Sequence, residues 1–175
     1  MKTIILIAND DEAKHLKNLE CNICKIIITG EGRSNVIKSL AEKIKDGTIE
    51  ITDRIINVGY VGGCGFNKGD IVYVNEVQHF IPSVTIKELP IQFNYLTRFI
   101  PAKCFTADNF VDSESVGPWM PEKYVCDMEL YYIALMFPNV ISYKIVSDEL
   151  NYAQYTEASF KESWIKVEEY IKENL

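Results

Sequence analysis

At 175 residues, 47% of them hydrophobic, the chain can bury one sizeable core, and 1–175 reads as a single domain. Its formal charge of −7 argues against nucleic acid and anionic membrane as partners, because both reward stripes of Lys and Arg. The three arginines, Arg33, Arg54 and Arg98, are scattered.

Apolar runs and helical patterns then alternate along the chain. Thr3–Ala8 predicts a buried strand and Asp10–Leu19 a short helix with acids in its first turn. Lys25–Thr29 is a second strand. After Gly30-Glu-Gly32, residues Ser34–Lys45 form an amphipathic helix with Val36, Ile37, Leu40 and Ile44 at helical spacing. Arg54–Val58 is a third strand, and Asp70–Val74 with Val77–Phe80 is a strand pair or one bent strand. Lys103–Ala107, Ile141–Val146 and the helices Asp127–Met136 and Glu157–Asn174 complete the series. Such alternation predicts a three-layer α/β fold: a mixed, mostly parallel twisted sheet flanked by helices, with the strands at 3–8, 25–29, 54–58, 103–107 and 141–146 buried on both faces.

The opening apolar stretch is too short for a secretory segment, and no run approaches the ~18 apolar residues of a membrane helix, so a cytoplasmic setting is expected. There the five cysteines stay reduced, and Cys21-Asn-Ile-Cys24 has no second pair to complete a zinc site. With His15 and His79 on separate elements, neither metal nor cofactor is expected. Apolar residues at Tyr60–Phe66 and Phe80–Ile91 look exposed.

Five stretches can carry chemistry. Val58-Gly-Tyr-Val-Gly-Gly-Cys-Gly65 is a tight turn or a ligand contact; a strand rather than a helix follows, which disfavours a dinucleotide. In Thr106-Ala-Asp-Asn-Phe-Val111, Phe110 is either tucked into the core or free to stack on a flat base. Asp127 and Glu129 open a helix, where acids are favoured whatever their purpose, and Asp148 in Ser147-Asp148 ends a strand. Glu12 in Asn9-Asp-Asp-Glu12 is a first-turn acid or a functional one.

Taken together, Ile7-Ala-Asn-Asp-Asp-Glu12, Thr29-Gly-Glu-Gly-Arg33, Asn57-Val-Gly-Tyr-Val-Gly-Gly63 with Lys68-Gly-Asp70, Thr106–Phe110, Asp127-Met-Glu129 and Ser147-Asp148 resemble the nucleoside phosphorylase superfamily. The likeness is specifically to its 5′-methylthioadenosine/S-adenosylhomocysteine nucleosidases, in a trimmed form. The resemblance implies a homodimeric enzyme that hydrolyses the N-ribosidic bond of a purine nucleoside. Its alternatives are a phosphate-dependent phosphorylase, for which Arg33 is the anion-binding candidate, and an inactive nucleoside binder. In the implied site Asp148 is the general acid toward purine N7, and Glu12 orients or deprotonates the attacking water. Glu129 holds the ribose hydroxyls, with Met128 on the sugar. Phe110 stacks on the base, the Val111 backbone meets its edge, and Ser147 positions Asp148. Gly59 and Tyr60 line the sugar pocket. Tyr60 stands where the family has a small hydroxyl residue, Lys144 where it has arginine, and Leu130 where it has a small residue.

Overall fold

The computed structural model describes residues 2–19, 21, 24–81, 90–95, 97–117, 120–151 and 160–175. In chain order these form β1 (Thr3–Ile7), α1 (Asp10–Ala13), β2 (Cys24–Ile28), α2 (Gly32–Lys45), β3 (Arg54–Cys64) and β4 (Ile71–Phe80). They continue with β5 (Ile91–Gln92), β6 (Ile100–Ala107), β7 (Tyr124–Asp127), α3 (Leu130–Met136), β8 (Val140–Asp148) and α4 (Lys161–Glu173).

The strands make two parallel blocks. β2, β1, β3 and β8 run together, as do β7, β6 and β4. The blocks meet antiparallel at both seams, β3 against β7 and β4 against β8, and β5 lies antiparallel on β4. The sheet is therefore mixed rather than mostly parallel: parallel pairing holds within each block and fails where they join. Because both seams are hydrogen-bonded, β3, β7, β6, β4 and β8 close on themselves as a five-stranded barrel. Closure removes the exposed edges that an open sheet would leave at those strands.

Alternate residues of β1 serve two cores. Ile4 and Leu6 pack with Val36 and Leu40 of α2 and with Leu130 and Ile133 of α3. Ile5 and Ile7 pack with Ile56, Val58, Ile145 and the α4 residues Trp164, Val167 and Ile171. Each fully buried aliphatic side chain contributes roughly 1.5–3 kcal/mol. Burial on both faces holds for β1 and nearly all of β8 but not for β2, where Lys25 and Ile28 are exposed because the strand is an edge. β6 likewise begins exposed and becomes buried only toward its end.

The structure corrects several boundaries. The expected helix Asp10–Leu19 stops after one turn. His15 N–H then bonds Glu12 O and Leu16 N–H bonds Ala13 O, tightening the chain so that Leu16 and Leu19 both enter the core. The glycine-rich 58–65 stretch is no loop: β3 runs through it to Cys64, with a register shift between Val61 and Gly62 as the strand passes from β8 to β7. The 70–80 stretch is one strand, bent by a register shift between Val74 and Glu76. Asp127 ends β7 rather than opening a helix, and α3 begins at Leu130 because Asp127 Oδ2 accepts the Leu130 N–H. α4 is described only from Lys161, so the expected start at Glu157 lies outside the described residues. The apolar residues expected at the surface are largely buried: Val61, Phe66 and Phe80 all lie in the core, and positions 82–89 lie outside the described residues. No helix among the described residues is long and apolar enough to cross a membrane.

Candidate active site

The C-terminal ends of β1, β3, β7 and β8 converge on a cavity of about 290 Å³ lined by side chains from all four strands and the loops that follow them. This is where parallel α/β blocks gather ligands, since loops of both directions splay apart there. Of the candidates, Glu12, Tyr60, Phe110, Met128, Glu129, Ser147 and Asp148 line it. Gly59 and Val111 do not. A Cβ on Gly59 would lie 3.1 Å from Glu12 Oε1, so its bareness lets that carboxylate seat against β3. Val111 is 5% exposed and packs with Phe105 and Tyr124, whereas Phe110 is 37% exposed. The core place went to Val111, and Phe110 faces the cavity.

Glu12 differs from its exposed neighbours Asp10 and Asp11. Asn9 caps α1 by accepting the Glu12 N–H at 3.0 Å, which fixes the turn. The buried Glu12 Oε1 then accepts the Tyr60 N–H at 2.7 Å. Its Oε2 is buried and has no hydrogen-bond partner among the described residues. Burial pushes this carboxyl above its usual range, against the pull of the Tyr60 and Ala8 amides and of the Lys144 ammonium. A carboxylate with one oxygen anchored and the other unmatched is arranged to accept from something in the cavity.

Glu129 hangs between β7 and α3. Its Oε1 accepts the Gly32 N–H at 2.8 Å at the start of α2. The anion that the Gly30-Glu-Gly32 segment faces is thus the protein's own. Burial first, and then the charge of Asp127, push Glu129 up to about 7, although Lys144 and the Gly32 amide oppose them. Gly32 takes φ +77°, the left-handed conformation that favours glycine, and a Cβ there would meet Met128 Cε only in ordinary contact at 3.5 Å.

Asp148 is buried at the end of β8 and accepts the Asn151 N–H at 3.2 Å through Oδ1. Ser147 Oγ lies 2.7 Å from its Oδ2 and 3.1 Å from the Val61 carbonyl. The serine has one proton to give. With Asp148 ionised, that proton serves the carboxylate; with Asp148 protonated, the acid donates to Oγ and the serine turns to Val61 O. Both protonation states are accommodated without rearrangement, as a group that gives and regains a proton requires. The bend beyond it carries Leu150 at φ +59°, a strained conformation for a branched residue.

Sequence reasoning missed the charge beneath these groups. Lys144 Nζ lies 2.8 Å from Asp127 Oδ2 with both side chains sealed from solvent, and Thr106 Oγ1 donates to Asp127 Oδ1 at 2.5 Å. Burial opposes the Lys144 charge, but Asp127 and Glu129 outweigh it and hold the amine's pKa above its usual value. Glu12, Asp127, Glu129 and Asp148 are all buried, and the first three feel the charge of this ammonium. Asn9, Glu31, Gly62, Asn109 and Cys126 also line the cavity. All but Cys126 fall within the motifs singled out above, although none was itself a site candidate.

At the sequence level no family model and no curated protein matches the chain. Solved structures do. The MTAN of Chlamydia trachomatis with MTA bound superimposes at TM-score 0.77 and 13% identity, covering 99% of each chain. The 5′-methylthioadenosine/S-adenosylhomocysteine nucleosidase of Neisseria meningitidis, in complex with methylthio-immucillin-A, gives 0.74 and 20% identity over 99% of this chain and 100% of that one. The Helicobacter pylori MTAN with 5′-methylthioadenosine in its active site gives 0.74 and 13%, covering 98% of each. The chain has the fold of the methylthioadenosine/S-adenosylhomocysteine nucleosidases. That agreement runs nearly end to end, as the sequence resemblance implied, but it also covers 98–100% of the neighbours' own chains, so the expected trimming is not seen against them.

Proposed function

We propose that the protein is a nucleosidase that hydrolyses the N-ribosidic bond of a purine nucleoside, adenosine-like and open to 5′ modification. The observation that carries the reading is Glu12: a buried carboxylate with one oxygen anchored to β3 and the other without a partner among the described residues, in the same cavity as the serine-bonded carboxyl of Asp148.

Departure of a purine leaves positive charge on the sugar, which water stabilises poorly. Here Asp148 protonates N7 of the leaving base, and Ser147 relays the change in its charge to the Val61 carbonyl. Phe110 stacks on the base. Glu129 accepts from the ribose 2′- and 3′-hydroxyls, with Met128 against the sugar. Glu12 Oε2 takes the proton of the attacking water. The cluster of buried carboxylates favours a cationic sugar electrostatically, in a site shielded from water. Its fold neighbours with MTA or an immucillin bound support a small nucleoside as ligand.

Water rather than phosphate is the acceptor in this reading. Among the described residues no Lys or Arg lines the cavity, whereas the acidic Glu31 does. Arg33 reaches instead toward Asp108, at 3.5 Å. A phosphate trianion or dianion entering this cavity would meet carboxylates with no guanidinium fork to receive it.

The test is a panel of purine nucleosides, including 5′-methylthioadenosine, assayed for free base with and without phosphate. Release in phosphate-free buffer is expected. A strict phosphate requirement would make the protein a phosphorylase, and tight binding without turnover would make it a binder.

A further inference from the structure

The loop that presents Phe110 to the cavity is tied down on the side facing away from the ligand. Asp108, two residues before Phe110, accepts a short hydrogen bond from the Tyr132 hydroxyl through Oδ1. That same hydroxyl lies 2.9 Å from His79 Nε2. Since its one proton goes to Asp108, His79 must donate, which places a proton on Nε2. The imidazole is held in turn by stacking on Tyr131 at 5.3 Å and 15°. Arg33 adds its guanidinium to Asp108 at 3.5 Å and lies 5.5 Å above the Tyr132 ring. Four elements thus meet behind one loop: β4 through His79, α3 through Tyr132, α2 through Arg33, and the end of β6 through Asp108.

None of these four residues lines the cavity. His79 and Tyr132 are nonetheless polar groups set in a largely buried cluster, and their hydrogen bonds run outward to a carboxylate that is about half exposed. Core packing alone would be served as well by Phe at 132 and Leu at 79. The chain His79–Tyr132–Asp108 is directional, from the Nε2 proton through the Tyr132 hydroxyl to the carboxylate, and it ends on the loop that carries the aromatic platform. Burial and the nearby Asp108 carboxylate both push the Tyr132 phenol up, so it remains a donor across the physiological range.

We propose that Tyr132 and His79 are positioning residues that hold the Asp108–Val111 loop in its base-stacking conformation, so that the site's affinity for the purine ring depends on them. The proposal rests on the nucleosidase reading for the identity of the ligand, but the tether itself is a property of the ligand-free protein. Preorganising a loop lowers the ordering cost of binding and leaves the chemical step alone. Loss of the tether therefore weakens base binding while kcat at saturation is retained. The exposed Arg33–Asp108 ion pair adds little.

Two measurements on the full chain separate the tether from the reading. Hydrogen exchange on the ligand-free protein follows the amides of Asn109, Phe110 and Val111 against those of β1. Tyr132→Phe is expected to speed the loop amides at least about tenfold and leave β1 unchanged. In parallel, adenine binding and turnover are measured for Tyr132→Phe, Asp108→Ala, their double variant, His79→Leu and His79→Gln. Each of the first two should raise the adenine Kd and the KM about tenfold with kcat within about threefold, and the double variant should be no worse than either single one. His79→Gln, whose side-chain amide can still donate to the Tyr132 hydroxyl, should bind close to wild type where His79→Leu does not.

Unaltered loop exchange in Tyr132→Phe overturns the tether. So do additive effects in the double variant, or a fall in kcat with Kd unchanged. Faster loop exchange in Tyr132→Phe, with a wild-type protein that neither binds adenine nor cleaves any nucleoside, would keep the tether and overturn the nucleosidase reading instead.

Discussion

Lys144 Nζ and Asp127 Oδ2 are 2.8 Å apart in a part of the barrel that solvent does not reach. β8 contributes the ammonium and β7 the carboxylate, two strands that do not pair with each other but both flank β3. The pair gives Glu12 and Glu129 a nearby positive charge, without which four buried carboxylates would crowd one site. Removing one partner leaves the other charged and buried, which costs roughly 3–5 kcal/mol. Lys144→Met should lower the unfolding free energy by that order in a denaturant titration. The double variant Lys144→Met/Asp127→Asn should recover much of the loss. A single variant as stable as wild type would contradict the pairing.

The same crowding sets the pH dependence of stability. Burial, and then the neighbouring Asp127 charge, push Glu129 up to about 7, above the usual carboxylate range near 4.5. Glu12 is shifted in the same direction by burial. A raised folded-state pKa means that the folded protein holds the proton more tightly than the unfolded chain. Its contribution is full below about pH 4.5 and is lost as pH rises through about 7, by an amount of order 3 kcal/mol for Glu129. Glu129→Gln, which still accepts from Gly32, should match wild type in stability near pH 4.5 and exceed it at pH 8. Parallel curves for the two proteins across this window would show that Glu129 is not shifted. The variant should also bind ribose poorly, the usual conflict between stability and function at such sites.

Gly62 is where the strand and the acid touch. A Cβ there would fall 2.8 Å from Leu150 Cδ2 and 3.0 Å from Asp148 Oδ1. Backbone bareness, rather than positive φ, is what the position requires. Gly62→Ala should displace the bend that holds Leu150 and move Asp148 off its serine. An angstrom of misplacement at such a group costs on the order of 100-fold, so base release should fall by about that factor in a protein that still folds. Wild-type turnover in this variant would mean that Asp148 does not act from its observed position.

Most of the layered architecture was legible from periodicity, because strands buried on both faces read as continuous apolar runs and α2 shows its helical spacing plainly. Closure of the barrel was not. It depends on β7, four residues long, whose last residue, Asp127, reads as a helix-opening acid when taken with Glu129. Glycine at 59, 62 and 63 reads as a turn, yet each serves close approach along a continuous strand, to Glu12, to Leu150 and Asp148, and to Val146. Asp148, Glu129 and Phe110 were recognisable from their motifs. Glu12 could not be told from Asp10 and Asp11 by pattern alone, since what distinguishes it is its contact with Tyr60, 48 residues away. Lys144 is a lone lysine in an apolar strand, and only the fold reveals its partner. Tyr60, bulky where a small hydroxyl was expected, is explained by α4: its hydroxyl accepts the Trp164 indole N–H at 2.7 Å, so the ring packs against the helix.

The central claim is that Asp148 protonates a purine leaving group, and its most direct measurement is kcat for base release by Asp148→Asn in phosphate-free buffer. Asparagine keeps the shape and can still accept from Asn151, but it has no proton to give. General-acid catalysis is worth about 10²–10⁴-fold, so kcat should drop at least 100-fold while the melting curve and adenine affinity stay close to wild type. Turnover within a few-fold of wild type in the folded variant would remove Asp148 from the chemistry and contradict the account.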